Sequence, residues 1–299
     1  MSIKALCVGE VLWDIIRGEQ HIGGAPFNLA AHLARLDCRA GVLTRIGDDA
    51  LGRAALDAML RLGVDTTLVQ VDPHRPTGWA KVELNDDGVA SYRFPDDPAY
   101  NFIEADGPML ETLARSNLDA ICFGTLQQKG LRTRESLMRL LQRVPARQVL
   151  YDVNIRLDFY PEDVLRQSLA FSTVVKLNAD EAPLVARRLY GSALSEADFA
   201  LRLAAEFPVR VLCVTKGGDG CTVYSQGQIR NLATEPVQVA DTVGAGDAFS
   251  AAFLDHYCRT GDPFAAAERG NLLGAYVASR PGAVPEYDAA IRGRLGQAG

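Results

Sequence analysis

Short apolar runs alternate with longer amphipathic ones along most of this chain. Residues 5–10, 42–46, 120–123, 148–153, 173–177 and 209–215 are apolar nearly throughout, the pattern of strands buried on both faces. Between and after them, apolar residues recur at helical spacing over 29–36, 51–62, 131–141, 161–171, 181–189 and 196–207. Two further helices are expected from Gly244 to about Cys258 and from Pro263 to about Ala278, and a hairpin pairs 222–224 with 228–231 around Gly227. Strand following helix in this rhythm predicts an α/β fold. It is doubly wound, with a mainly parallel sheet and helices on both faces.

One stretch breaks the rhythm. Residues 69–71, 79–84 and 89–94 alternate apolar and polar positions, separated by Asp72-Pro73 and by Asn85-Asp86-Asp87-Gly88. The spacing predicts an antiparallel meander with a hairpin turn at Asp87-Gly88. With residues 11–22 it is expected to form a small antiparallel β lid, spanning about 11–22 and 67–100, on a single domain of residues 1–299.

Composition narrows the function. The 299 residues are 48% hydrophobic and 23% charged with net charge −6, a normal soluble balance without a polybasic block. Nucleic acid is therefore not an expected partner, because backbone phosphates require a cationic surface. The six cysteines form no C-x-x-C pair, so neither zinc nor a disulfide framework is expected. No leader and no apolar run of membrane-spanning length is seen, which points to the cytoplasm. The dinucleotide fingerprint, the phosphate-binding G-x-x-x-x-G-K-[ST] loop and the G-x-S-x-G elbow are all missing.

Ligands of doubly wound sheets sit at the carboxyl ends of the strands. That rule gathers Asp14, the loop after Phe123, the Asp152–Arg156 segment, Asn178, the 215–220 loop and Asp247 along one edge. In Asp241-Thr-Val-Gly-Ala-Gly-Asp247, small residues open a helix, where unpaired N–H groups and the helix dipole can hold an anion. Asp247 reads either as a capping residue or as a general base beside that anion nest, the pair that phosphoryl transfer to a hydroxyl needs. Gly23-Gly24-Ala25-Pro26-Phe27-Asn28 reads either as a plain turn or as backbone approached closely by a polar ligand. Asn178 and Glu181 suit an N-cap with an acidic first turn, or water-mediated Mg²⁺ beside phosphates.

These segments together resemble the ribokinase-like (PfkB-type) carbohydrate kinases. Asp241–Asp247 is similar to their C-terminal signature and Gly23–Asn28 to their N-terminal one, while Asn178, Glu181, the 215–220 loop and Asn271 follow in the family's order. The resemblance implies an ATP-dependent sugar kinase in which Asp247 is the base and Gly244, Ala245 and Gly246 line the anion hole. It places Asp14, Gly23, Gly24, Asn28 and Arg156 on the sugar. Asn178, Thr215, Gly217, Gly220, Gly246 and Asn271 fall near ATP, and Glu181 near Mg²⁺ through water. Asp241, Val243, Val277, Arg280 and Gly282 match a loop for a monovalent cation such as K⁺, held mostly by backbone carbonyls. Gly-Gly-Ala-Pro-Phe-Asn looks like fructokinases, which implies conversion of D-fructose to fructose 6-phosphate. 2-Keto-3-deoxygluconate kinase, ribokinase or a nucleoside kinase are the alternatives on the same scaffold, and a non-catalytic sugar or nucleotide sensor is the distant one. A homodimer through the lid is a further expectation, since the lid offers strand edges.

Overall fold

A computed structural model of the chain describes residues 2–16, 18–84, 90–156 and 158–296. The chain starts with β1 (Lys4–Val8), β2 (Leu12–Ile16), β3 (Glu19–Gly23), α1 (Ala25–Arg35), β4 (Arg39–Gly47), α2 (Ala50–Arg61), β5 (Val69–Asp72), β6 (Gly78–Leu84) and β7 (Ala90–Arg93). It continues with α3 (Gly107–Ala114), β8 (Leu118–Phe123), α4 (Leu131–Arg143), β9 (Ala146–Asp152), α5 (Glu162–Leu169), β10 (Val174–Asn178), α6 (Glu181–Tyr190) and α7 (Glu196–Glu206). The last elements are β11 (Val211–Thr215), β12 (Cys221–Ser225), β13 (Gln228–Leu232), α8 (Ala245–Thr260), α9 (Pro263–Ala278) and α10 (Ala289–Arg294).

Among the described residues the large sheet has nine strands in the order β13-β12-β11-β10-β9-β8-β1-β4-β5, parallel except for the β11-β12-β13 edge. Alternation along each strand divides the core. Ala5 and Cys7 of β1 face one helical layer with Phe27, Leu33 and Phe253, while Leu6 and Val8 face the other with Leu137, Leu140 and Leu203. Both faces are thus apolar, which is why these strands read as continuous hydrophobic runs. In the first layer α9 packs on α8 through Gly270, where a Cβ would lie 2.7 Å from the Phe249 ring. The chain moves from β1 to β4 on one side and returns to β8 on the other, so the switch point lies between β1 and β8.

Among the described residues the second sheet has four strands in the order β3-β2-β6-β7. Its β2-β3 and β6-β7 pairs are antiparallel, but the central β2-β6 pair is parallel, Asp14 lying opposite Ala80. The expected meander needs one correction. Residues 69–72 pair in parallel with β4 at the rim of the large sheet, because the chain leaving α2 first completes another βαβ crossover. The expected turn at Asp87-Gly88 lies outside the described residues. The small sheet is pinned at its base. Asp49 accepts hydrogen bonds from the Thr77 backbone N–H (2.8 Å), the Thr77 hydroxyl (2.7 Å) and the Gly52 N–H (2.7 Å), and the Trp13 indole N–H donates to the Leu51 carbonyl at 3.0 Å.

Candidate active site

Strand ends and helix starts on one side of the large sheet bring the polar residues together. Asp247 lies in the first turn of α8, whose N-cap, Gly244, has φ 78°. No larger residue fits there, since a Cβ on Gly244 would stand 2.3 Å from the Ala283 carbonyl oxygen. The Ala245 N–H donates to the Thr242 carbonyl at 3.3 Å, and among the described residues those of Gly246 and Asp247 have no backbone acceptor. These two open N–H groups, with the helix dipole behind them, form an anion nest.

The base candidate is tied to the N-terminal signature. Asn28, buried in the first turns of α1, donates from Nδ2 to Asp247 Oδ2 at 2.8 Å, bridging segments 219 residues apart. Its Oδ1 is buried without a partner among the described residues, as is Glu10 Oε2 just after β1. Gly24, with φ 109°, lies on the Glu10 backbone, and a Cβ on Gly23 would stand 3.1 Å from Asp14 Oδ2. Asp14, Glu10, Asn28 and Asp247 therefore converge around the Gly23-Gly24 turn. Arg156 is the cation that faces Asp14, Glu10 and Asp247.

Burial governs the protonation of these carboxyls. It pushes Asp247 up to about 6, helped by the negative charge of Asp152 and opposed by Lys176, the Asn28 hydrogen bond and Arg156. Burial likewise lifts Glu10 to about 7, and Asp14 is raised for the same reason, with Arg156 and His21 working against it. An aspartate poised near 6 is ionised at neutral pH yet basic enough to take a proton.

Behind the nest lies a buried ion pair. Lys176 on β10 reaches Asp152 on β9 at 2.9 and 3.1 Å, and the Ser250 hydroxyl of α8 donates to the same carboxylate at 3.1 Å. A Cβ on Gly246 would stand 2.9 Å from Lys176 Nζ, so only glycine admits the ammonium this close to the nest. Lys176 stays charged because the Asp152, Asp247 and Glu181 carboxylates outweigh its burial and hold its pKa above the ordinary lysine value. Glu10, Asp152 and Lys176 were given no role in the sequence reading. A lysine inside an otherwise apolar strand was the signal for Lys176, because a buried charge is costly unless it is paired or used.

The candidate nucleotide residues lie on neighbouring elements. Asn178 and Glu181 form a reciprocal capping box, with the Asn178 Oδ1 accepting from the Glu181 N–H and the Glu181 Oε2 accepting from the Asn178 N–H, both at 2.8 Å. The other Glu181 oxygen accepts from the Ile155 N–H at 2.7 Å. Thr215 closes β11, its hydroxyl donating to the Leu177 carbonyl at 3.3 Å, and Gly217 and Gly220 turn the chain into β12. Asn271 on α9 donates to the Leu232 and Ala233 carbonyls at 3.0 and 3.3 Å, fixing the segment after β13.

A likeness to known proteins runs through all of these elements: the pfkB family carbohydrate kinase pattern matches residues 4–289. The chain belongs to the pfkB family of carbohydrate kinases. It is a sugar phosphotransferase. A fructokinase from Escherichia coli is 32% identical over 272 residues, covering 87% of this kinase and 86% of that one. Among solved structures, a fructokinase with bound ATP from Xylella fastidiosa superposes with a TM-score of 0.83 at 23% identity, covering 95% of this chain and 94% of the other. A double-mutant fructokinase from Vibrio cholerae, in a form bound to fructose, ADP and potassium, gives 0.83 at 22% identity over 98% of both chains. The doubly wound sheet with its small second sheet is the fold these kinases share.

The chemistry of the donor sets bears on the ions. No cluster of three His, Cys, Asp or Glu side chains able to hold a metal is present among the described residues. Glu181 has lone pairs left beside its two backbone N–H partners, which fits a contact to Mg²⁺ through water. In the expected cation loop, Asp241 accepts from the Val243 N–H at 3.0 Å and the Gly282 N–H at 3.2 Å, joining the two loop halves. The Val277 carbonyl accepts from the Arg280 N–H at 2.9 Å, so that oxygen has one lone pair left to offer. No helix among the described residues is long and apolar enough to cross a membrane.

Proposed function

We propose that this kinase transfers the γ-phosphoryl group of ATP to a hydroxyl of D-fructose, giving fructose 6-phosphate. The observation that carries the reading is the Asn28–Asp247 contact at 2.8 Å, which joins a sugar-binding turn to a base at the mouth of an anion nest. Asp14, Asn28 and Arg156 bind the sugar, and the unpaired Glu10 and Asn28 oxygens supply acceptors for its hydroxyls. An unsatisfied buried acceptor costs about 1–3 kcal/mol until a donor arrives, so a polyhydroxylated ligand is favoured there. The E. coli fructokinase likeness supports fructose among such sugars.

In the transfer step the acceptor hydroxyl gives its proton to the Asp247 carboxylate as its oxygen bonds the γ-phosphorus and the bond to ADP breaks. The Gly246 and Asp247 N–H groups and the Lys176 ammonium stabilise negative charge on the transferring phosphoryl oxygens, where preorganised donors matter most. Asn178, Thr215, Gly217, Gly220 and Asn271 frame the nucleotide. Glu181 would hold Mg²⁺ through water, and the ion when bound would supply neutralisation of phosphate charge. The Asp241–Gly282 loop would hold K⁺, which when bound would steady the start of α8. The small sheet closes over the sugar and excludes water, and its strand edges offer a surface for a homodimer.

Release of ADP, measured across fructose, ribose, 2-keto-3-deoxygluconate, mannose and adenosine, tests the assignment. The highest kcat/KM is expected with fructose. Faster turnover of 2-keto-3-deoxygluconate or adenosine would replace the sugar choice, and no ADP with any acceptor would remove the mechanism.

A further inference from the structure

His32 has no place in the chemistry above, yet it is fully buried and both of its ring nitrogens are used. It lies on α1 one turn after Asn28, and its Nε2 is 2.9 Å from the Ala283 carbonyl oxygen. A carbonyl can only accept, so Nε2 carries the proton. The other nitrogen, Nδ1, then accepts from the Tyr287 hydroxyl at 2.6 Å. Burial holds the imidazole neutral, its pKa lowered to about 4.

The Ala283 carbonyl held in this way is the atom that stands 2.3 Å from the position of a Cβ on Gly244. It therefore packs directly on the backbone that opens the nest. The same helix face grips the other side of the transfer site through Asn28 and Asp247 at 2.8 Å. One turn further along, Arg35 makes a bidentate pair with Glu286, both bonds 2.7 Å, so α1 fastens the 283–287 segment at three points. α1 thus aligns the base and the nest with respect to each other.

We propose that His32 is a positioning residue for phosphoryl transfer: its Nε2–H, set by Tyr287, seats the Ala283 carbonyl against Gly244 and so fixes the direction of the nest N–H groups. The inference rests on the nest assignment made above. His32 does not touch sugar or nucleotide, so its loss acts on kcat and leaves the KM for sugar in place. Displacement of a catalytic group by about 1 Å can cost on the order of 10²-fold.

The test compares His32→Leu with His32→Gln. Gln places an amide N–H near the position of Nε2 and retains the donor, whereas Leu fills similar space without one. A fall in kcat of roughly 10–100-fold is expected for His32→Leu at unchanged sugar KM, with His32→Gln within a few-fold of the parent. Equal losses in the two variants, or a folded His32→Leu enzyme of parental kcat, would overturn the proposal. Should His32→Leu fail to fold, Tyr287→Phe decides, since it removes the hydroxyl that holds the ring in place over the Ala283 carbonyl. A several-fold lower kcat at constant sugar KM supports the role, and parental kcat overturns it. Asp247→Asn run alongside separates the two assignments. Full activity there removes the base and with it the proposed transfer site, whereas lost activity there with parental kcat in His32→Leu removes only the clasp.

Discussion

The base should cost the folded protein stability, and Asp247→Asn should therefore be more stable than the parent above neutral pH. Asn retains the acceptor for Asn28 Nδ2 and caps a helix about as well as Asp. What it removes is a carboxyl that burial and Asp152 raise from 3.8 to about 6. A carboxyl raised on folding binds more protons in the native state than in the unfolded one, so its contribution becomes unfavourable as pH climbs from about 4 to about 6. The shift corresponds to about 3 kcal/mol once both states are ionised. Integrating between the two pKa values, the variant gains about half of this over the parent at pH 5 and nearly all of it at pH 8. Glu10, raised to about 7 by burial, destabilises in the same direction over a neighbouring range, but it is present in both proteins and largely cancels in the difference. Urea unfolding of both proteins at pH 5, 6, 7 and 8 measures the gap. A gap that is independent of pH, or a parent more stable than the variant at pH 8, would show that Asp247 is an ordinary capping carboxylate.

Other expectations follow from the same geometry. Gly246→Ala should lower kcat by about 10²-fold, because its Cβ would stand 2.9 Å from Lys176 Nζ and displace the ammonium from beside the nest; an unchanged kcat in a folded variant would refute the close approach. Asp14→Ala should weaken sugar binding by about 1.5–3 kcal/mol while sparing ATP, and calorimetry showing unaltered sugar affinity would end that role. Saturating sugar should slow hydrogen exchange over β2 and β6, and unchanged exchange there would mean that the small sheet does not close.

Much of this was legible in the chain. Strands such as β1 and β11 announce themselves because both faces are buried, and the glycine-rich start of α8 carries its own chemistry. β5 was misassigned to the small sheet because Val69, Gln70 and Val71 alternate at the sheet rim, where one face is solvated, and a rim strand cannot be told from a hairpin strand by period alone. α3 and α10 went unseen, being short, while β3 fell within the expected lid over 11–22, though its mostly exposed residues gave it no strand pattern of its own. Asn178 and Glu181 carried two readings from the start, and the capping box accounts for their spacing without removing the carboxylate from the site. Lys176, Asp152 and His32 escaped a role because their partners lie on other elements: 24 residues separate Lys176 from Asp152, and 251 separate His32 from Ala283. Such pairs appear only when the sheet order is known.

The central claim is that Asp247 takes the proton from the sugar, and the turnover of Asp247→Asn with saturating fructose and ATP tests it most directly. With ATP affinity and fold retained, kcat should fall by about 10²–10⁴-fold, the usual contribution of a general base. An Asp247→Asn enzyme that keeps most of its turnover would contradict the assignment of Asp247 and with it the reading of the site.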